Sequence, residues 1–181
     1  MSNIRPMSAI QITVWAAVAI LAFWVVGAYN RLIRLRSDLV ARFGPVDEAC
    51  RQQQALLGEQ AELLSAALTS AGPRVEALRA ACRQFDAARE LARVRPGAPG
   101  AITSLRVATD ILADARARLP VQSAAGVDLP ALNMRLTGND TALSFARGEF
   151  NEAVGRYNAA VRQFPTFMLA ALFSFRPAAT L

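Results

Sequence analysis

The sequence contains no histidine and no lysine, and these two absences exclude several kinds of catalytic site. Without histidine the chain cannot build a Ser-His-Asp or Cys-His arrangement, and it lacks the commonest protein ligand for transition metals. Without lysine, Schiff-base chemistry and the lysine of a phosphate-binding P-loop are also excluded. We therefore predict a protein that is not an enzyme, with no catalytic, cofactor-binding or metal-binding residues and no cofactor.

Two pairs of carboxylates with Glu-x-x-Glu spacing are the remaining source of acid–base chemistry. Glu59 and Glu62 form one pair, and Glu149 and Glu152 form the other. Residues three apart share a helix face, so each pair could act together. Arginines lie near both pairs in sequence, and solvated, ion-paired surface charge is the commoner meaning of such a pattern. An enzyme that uses carboxylates alone is the less favoured alternative.

Aromatic residues make up only 7% of the chain, and there are only two cysteines. From residue 30 onward, alanine, leucine, arginine, glutamine and glutamate dominate, and these residues favour helix. The composition predicts an all-α fold. If the chain turns back at Gly72-Pro73, Cys50 and Cys82 are offset by ~18 Å along the hairpin, too far for a disulfide. Unpaired thiols suit a reducing cytoplasm.

One long hydrophobic run, residues 9–28, is interrupted only by Gln11 and Thr13. A 20-residue helix spans ~30 Å, which matches the hydrocarbon core of a bilayer. Trp15 and Trp24 lie towards the two ends of the run, as in the aromatic belts of membrane proteins. Residues 1–28 are therefore predicted to form a short tail and a transmembrane anchor in contact with the lipid bilayer.

A cleaved signal peptide ending at Val26-Gly27-Ala28 is the alternative, although its hydrophobic region would be unusually long. Arginines flank the run unevenly, with Arg5 before it and several after it: Arg31, Arg34, Arg36 and Arg42. The positive-inside rule then predicts a single-pass protein of the bacterial inner membrane, with its N-terminus outside and its helical domain in the cytoplasm. Arg31, Arg34 and Arg36 would meet anionic headgroups.

The net charge of +6 does not indicate nucleic-acid binding. The four basic residues nearest the hydrophobic run are Arg5, Arg31, Arg34 and Arg36, and the remaining 16 of the 20 nearly balance the 14 acidic residues. A nucleic-acid interface would need a basic stripe with interleaved aromatic residues, and the sequence has no such stripe. We predict no nucleic-acid partner.

Residues 29–165 show the apolar spacing of an antiparallel bundle of three to four long helices. The first helix is predicted to run from Tyr29 to about Ser70, with a kink or short break at Gly44-Pro45. Apolar positions in this helix recur mostly at steps of three, four or seven: Leu32, Leu35, Leu39, Phe43, Val46, Ala49, Leu56, Leu63 and Ala67. Gly72-Pro73 would end it, with Gly72 just past the helix.

A second helix is predicted from Arg74 to about Val94 and a third from about Ile102 to Leu119. Linkers are predicted at Arg95–Gly100 and Pro120–Pro130, which are rich in proline and glycine. The apolar positions in the two helices are Val75, Leu78, Cys82, Phe85, Ala88 and Leu91, then Leu105, Ile111, Leu112 and Leu119.

The fourth predicted helix is the most regular and stops at Phe164-Pro165. Large residues recur every seven positions: Leu136, Leu143, Phe150, Tyr157 and Phe164. Small or β-branched residues lie between them: Ala146, Ala153, Val154, Ala160 and Val161. The last segment, residues 166–181, is an apolar tail. Its apolar stretch, Thr166 to Phe175, has ten residues and is too short to span a bilayer, and we expect the tail to pack on the bundle, with contact to the membrane surface as the alternative.

Two stretches, read together after an N-terminal anchor, resemble the LemA family. The first is Tyr29-Asn30-x-Leu32-Ile33-x-Leu35-Arg36, running to Val46-Asp47. The second is Phe150-Asn151-x-Ala153-Val154-x-x-Tyr157-Asn158-x-Ala160-Val161-Arg162-x-Phe164-Pro165, continuing through Leu169-x-Ala171-Leu172-Phe173-x-Phe175. The resemblance implies a membrane-anchored antiparallel helical bundle, with the N-terminus outside and the bundle in the cytoplasm. It implies no established reaction.

The chain departs from the family pattern after Asp47. Members of the family usually have a run of basic residues there, then an Asp, a Pro and an Asn-Leu-Val. This sequence instead has Arg51-Gln52-Gln53-Gln54, Ala55, Gly58 and Glu59-Gln60. A surface role tied to that motif is not implied for this chain, whereas the fold is.

The sequence thus favours a membrane-tethered interaction or scaffolding module with an unidentified protein partner. A lipid-surface or envelope-organising protein is the alternative, based on Arg31, Arg34, Arg36 and the apolar tail. The sequence pattern specifies neither the partner nor the oligomeric state.

Overall fold

The computed structural model describes residues 9–67, 72–119 and 129–181. These residues form five helices: α1 (Ala9–Ala67), α2 (Gly72–Val94), α3 (Pro99–Ala117), α4 (Leu129–Arg162) and α5 (Thr166–Leu172). No strand occurs in the described ranges, and the helices pack against one another, so the predicted all-α class is confirmed.

Helix α1 changes character along its 59 residues. Its first part is exposed on every side, as the side chains of Ile10, Trp15 and Phe23 illustrate. From Leu32 onward one stripe of the helix is buried, including Leu39, Phe43, Val46, Cys50, Leu57 and Leu64. The second part therefore belongs to the bundle, whereas the first part extends beyond it.

Pro45 does not break α1, which contradicts the short break that Gly44-Pro45 suggested. Proline in a helix interior removes one backbone hydrogen bond and crowds the preceding turn. In this helix Phe43 and Val46, which flank the Gly44-Pro45 pair, are both buried in the bundle core. Because most helical stability in proteins comes from packing of the apolar face, these contacts hold the turn helical.

Helix α1 is the centre of the bundle. It packs most extensively against α4 and also against α2, while α3 packs against α2. Helix α5 contacts the C-terminal part of α4 and also α1. The backbones of α3 and α4 stay apart, and the side chains of Arg116 and Asp140 bridge them. This arrangement leaves a groove between α3 and α4.

The core confirms most of the predicted heptad positions in α4. Leu136, Leu143, Phe150 and Tyr157 are buried, and the Phe150 ring meets the edge of Phe43 with 5.6 Å between ring centroids. Phe164 is 75% exposed, so its prediction as a core position was wrong. Helix α4 ends at Arg162, and the seven-residue period therefore stops before Phe164.

Two of the predicted apolar positions in α2 and α3 are also more exposed than expected. Leu91 in α2 and Ile111 in α3 are 48% and 39% exposed, because alanines take the buried positions of these helices instead. The small side chains of Ala88 and Ala108, which lie between α2 and α3, allow the two helices to approach closely.

Three helices begin earlier than the sequence suggested. Helix α2 begins at Gly72, α3 begins at Pro99 rather than Ile102, and Pro130 already lies in the first turn of α4. Proline suits a first turn because its missing N–H has no helical partner there. Helix α3 also ends at Ala117, two residues before the predicted Leu119. The predicted end of the first helix at Ser70 and the linker residues 120–128 lie outside the described residues.

Replacing Phe150 by alanine should lower the free energy of unfolding by about 3–5 kcal/mol, because a fully buried aromatic side chain leaves a cavity that the core fills only in part. Chemical denaturation of the detergent-solubilised protein measures the change. Phe145→Ala is the matched control, since Phe145 lies on the same helix and is 73% exposed. Equal destabilisation by the two variants would contradict the core assignment.

Candidate functional site

The exposed first part of α1 is long and apolar enough to cross a membrane. An 18-residue window near the N-terminus has a mean hydropathy of 2.1, and none of it is buried within the protein. Burial against α1's neighbours begins with Ala28, at the end of the predicted span. The span therefore joins the bundle without a connecting loop.

Only arginine carries charge at the end of the bundle next to this span. The first acidic residue of the chain is Asp38, and no acidic residue follows Glu152. Asp38 forms ion pairs with Arg42 and Arg156, at 3.6 and 3.1 Å. Among the described ion pairs none involves the arginines closest to the span: Arg31, Arg34, Arg36, Arg162 and Arg176. Within the described residues these five positive charges have no carboxylate in ion-pair range.

Helices α4 and α5 both end beside the first residues that follow the span. Arg31 donates a hydrogen bond to the side-chain oxygen of Gln163, 3.3 Å away. The Tyr29 ring lies 5.0 Å from the Phe173 ring and 6.0 Å from the Phe175 ring, measured between centroids. The turn that leads into α5 and the residues that follow it are therefore held beside the first residues after the span.

After α5 the chain turns back along α4, where two asparagine side chains hold it. Asn158 donates to the carbonyl of Ala178 and accepts from the Ala178 N–H, both at 2.8 Å. Asn151 donates to the Leu181 carbonyl at 2.9 Å and accepts from the Leu181 N–H at 2.8 Å. Each amide thus satisfies both backbone groups of one residue, as a neighbouring strand would.

The spacing of the two asparagines matches the extended backbone that they bind. Seven residues of helix rise by ~10.5 Å between Asn151 and Asn158, and three residues of extended chain between Ala178 and Leu181 cover ~10 Å. Tyr157 adds a hydrogen bond from its hydroxyl to the Arg176 carbonyl, at 3.0 Å. Burial of the ring raises the pKa of Tyr157 above its usual value, so the hydroxyl stays protonated as a donor. We call these contacts the tail clasp.

The loop between α2 and α3 supports the same tail. Gly97 accepts a hydrogen bond from the Ala179 N–H at 3.0 Å, and its φ of +82° suits glycine. A Cβ atom at this position would lie 3.0 Å from Ala178 and 3.2 Å from Leu39. Gly97 therefore permits a close approach of the loop, the tail and α1.

The groove between α3 and α4 has a volume of about 880 Å³ and is floored by α1. Its lining is mixed: Leu57, Leu112 and Leu143 lie behind it as buried residues, and polar side chains also line it: Gln53, Gln60, Thr109, Asn133, Ser144 and Asn151. Pockets that bind ligands or partners commonly combine apolar walls with a few placed polar groups. This groove is the principal candidate binding site of the bundle.

Several polar atoms of the groove lack partners within the protein. The Oε1 atoms of Gln53 and Gln60 and the Nε atom of Arg147 are buried without a hydrogen bond in the described structure. Arg147 is partly buried and, among the described residues, donates only a long 3.5 Å bond to Thr109 and has no carboxylate in ion-pair range. By contrast, Arg116 is 2.9 Å from Asp140. Arg147 is thus the uncompensated charge of the groove.

The four glutamates of the two Glu-x-x-Glu pairs each form an ion pair with an arginine at the surface. Glu59 is 2.9 Å from Arg135, and Glu62 is 2.8 Å from Arg79. Glu149 is 2.6 Å from Arg42, whereas Glu152 is 3.6 Å from Arg156 on its own helix. None of these four residues lines the groove. Their placement agrees with the interpretation of both pairs as solvated, ion-paired surface charge.

Neither cysteine is an activated thiol. Cys50 is 1% exposed, and burial raises the pKa of its thiol to about 11. Cys82 is partly buried, and burial raises its pKa as well. A raised pKa keeps the thiol protonated and unreactive at neutral pH. The two thiols are unpaired and act as small apolar side chains.

Comparison with known proteins identifies the family. The LemA family model matches residues 73–181, which is more than half of the chain. The chain belongs to the LemA family. No curated protein and no solved structure matches it significantly.

The residues that match the family model contain only the second of the two stretches that resemble the family. It contains the whole C-terminal motif block, including Asn151, Tyr157 and Asn158 of the tail clasp. The N-terminal block, Tyr29 to Asp47, lies outside the match. So do the departures at Ala55, Gly58 and Glu59, which lie on α1. The sequence marked the clasp residues as a motif but gave no sign that they bind backbone.

Asn158→Ala should lower the free energy of unfolding by about 1–3 kcal/mol, because the N–H and carbonyl groups of Ala178 lose their partner. Tail residues 176–181 should then exchange amide hydrogens faster. Thermal denaturation and hydrogen exchange in detergent measure the two effects. Asn133→Ala, an exposed asparagine on the same helix, is the control and should change neither. Unchanged tail exchange in Asn158→Ala would contradict the clasp.

Proposed function

We propose that this LemA-family protein is a non-catalytic scaffold of the bacterial inner membrane. Its span anchors it, its N-terminus lies outside the cytoplasm, and its bundle holds a partner protein at the cytoplasmic surface. The observation that carries the proposal is the continuity of α1, which runs without a break from the span through the centre of the bundle.

A continuous helix suits a tether that fixes the position of what it holds. A flexible linker would let a domain move freely over the membrane surface, whereas a helix transmits the position of the span to the bundle. The packing of α1 against both α4 and α2 extends this coupling to the groove, since Leu57 and Gln60 of α1 form its floor. A partner in the groove would be held at a set distance from the bilayer.

The orientation rests on the distribution of arginine. Arg31, Arg34 and Arg36 follow the span and lack carboxylate partners in the described residues, while Arg5 alone precedes it. Uncompensated positive charge resists transfer across the membrane, so the arginine-rich side stays in the cytoplasm.

The groove is the surface proposed to bind the partner. Its mixed apolar and polar lining suits an amphipathic helix, which commonly inserts into grooves of this kind. Arg147 adds a requirement for charge, because a partly buried arginine without a carboxylate is best satisfied by an acidic side chain. We therefore propose an amphipathic helix that carries an aspartate or glutamate opposite Arg147. A non-catalytic role agrees with the contacts of Asp140, the one acidic residue among the described residues that line the groove. Its carboxylate already accepts hydrogen bonds from Arg116 and Gln53.

Photo-crosslinking in living cells tests the groove. A benzoylphenylalanine at Ala113 or Ser144, both exposed at the groove, should crosslink one and the same protein. The same group at Ala80, exposed on α2 and outside the groove, should not. Crosslinking of the same protein at all three positions, or of none at the groove positions, would count against the proposal.

Charge substitution tests the chemistry of the partner. Arg147→Gln should reduce crosslinking at Ala113 by about ten-fold, as expected when an acidic side chain loses a buried partner worth about 1.5 kcal/mol. Arg106→Gln is the control, because Arg106 is an exposed arginine on α3 outside the groove. Equal loss in both variants would point to net charge rather than to the groove.

Single cysteines test the orientation after Cys50 and Cys82 have been replaced by alanine. Ser104→Cys places a thiol on an exposed position of α3, and Ser2→Cys places one before the span. A membrane-impermeant maleimide should label residue 2 in cells with a permeabilised outer membrane, and residue 104 only after lysis. The reverse pattern would place the bundle in the periplasm.

A further inference from the structure

Five large apolar side chains at the end of the bundle face away from the protein. Phe164, Phe167, Met168, Leu172 and Phe173 are 75%, 48%, 60%, 74% and 48% exposed, and we call them the apolar end face. The opposite side of α5 is buried against the bundle through Thr166, Leu169 and Ala170. Because α5 is apolar all round and only one side is covered, the other side requires a second apolar environment.

The position of the apolar end face next to the span identifies that environment. Phe173 contacts Tyr29, which directly follows the span, and α5 contacts α1. Ala28, the last residue of the span, is already buried. Any bilayer that surrounds residues 9–28 must therefore begin at the level of α5, so the end face meets the membrane surface and not bulk water.

The charges around the apolar end face match a lipid surface. No charged residue occurs between Arg162 and Arg176, and the two arginines bracket the segment. Both are exposed, and neither is in ion-pair range of a carboxylate among the described residues. Apolar side chains flanked by arginine are the pattern of helices that lie in the headgroup region, where arginines pair with lipid phosphates.

We propose that the apolar end face inserts into the headgroup and upper acyl region of the same bilayer that α1 crosses. Arg162 and Arg176 then bind phosphates of anionic lipids, together with Arg31 and Arg34. The protein thus has two membrane contacts at the same end of the bundle. One is the span, and the other is a shallow seat formed by the apolar end face. This seat prevents the bundle from tilting about its single span and does not depend on a partner in the groove.

Photo-labelling of the unmodified full-length protein tests the seat. The purified protein is reconstituted into vesicles of phosphatidylcholine and phosphatidylglycerol that contain a lipid with a diazirine near the top of its acyl chain. After illumination and digestion with trypsin, mass spectrometry should find lipid adducts on the peptide of residues 163–181, because Arg176 precedes a proline and is not cleaved. The peptide of residues 136–147, which carries the exposed Phe145, is the matched control and should have none.

The span supplies a positive control, since its peptide must be labelled in any correctly reconstituted sample. Adducts on the span but not on residues 163–181 would overturn the proposal. Adducts on residues 136–147 as frequent as those on 163–181 would overturn it too, because labelling would then follow exposure alone.

A fluorescent probe separates lipid from a second copy of the chain as the occupant. Met168→Cys and, as control, Phe145→Cys are labelled in the background without Cys50 and Cys82. A probe at residue 168 should be quenched about two-fold by lipid with a shallow doxyl group and be shielded from aqueous iodide, and residue 145 should behave oppositely. Shielding of residue 168 from both quenchers would indicate a protein contact, and access to iodide would indicate water. Either result would refute the seat.

Discussion

The fold depends on one constraint, which is that α1 must carry two kinds of surface along a single uninterrupted helix. Its first part is apolar on all sides, as a bilayer requires, and its second part is apolar along one stripe, as a bundle requires. The change occurs within one turn, between Ala28 and Leu32. Because a helix rotates by ~100° per residue, the direction of the buried stripe is fixed relative to the span. The positions of α4, α2 and α5 around α1 follow from that direction.

The family motif in α4 acquires a physical meaning from the clasp. Phe150 and Tyr157 belong to the heptad core, whereas Asn151 and Asn158 follow them by one position and lie beside the core. One residue of offset carries the polar groups to the edge of the buried face, where they meet the returning tail. Core packing and tail binding therefore use the same seven-residue period, so a single repeat in sequence specifies both.

The sequence was sufficient to predict the fold class, the apolar span and most of the core residues, because each of these depends on local composition and periodicity. Leu136, Leu143, Phe150 and Tyr157 were predicted from spacing alone and are buried. The exposed Phe164 was not predictable in this way, because the helix end at Arg162 breaks the period. The groove was also beyond local patterns, since it arises from the separation of α3 and α4. Its residues Gln60, Asp140 and Arg147 are far apart in sequence, and nothing in their neighbourhoods marks them as one site.

The central position of α1 has a consequence for biosynthesis. The principal neighbour of α1 is α4, and Arg42 pairs with Glu149, 107 residues later in the chain. At a translation rate of about 5–20 residues per second, the apolar stripe of α1 waits roughly 5–20 s for its partner after it leaves the ribosome. During that interval the span is already available for insertion, and the stripe has only α2 to cover it. The apolar first part of α1 therefore leaves the ribosome well before the bundle can close around the rest of the helix.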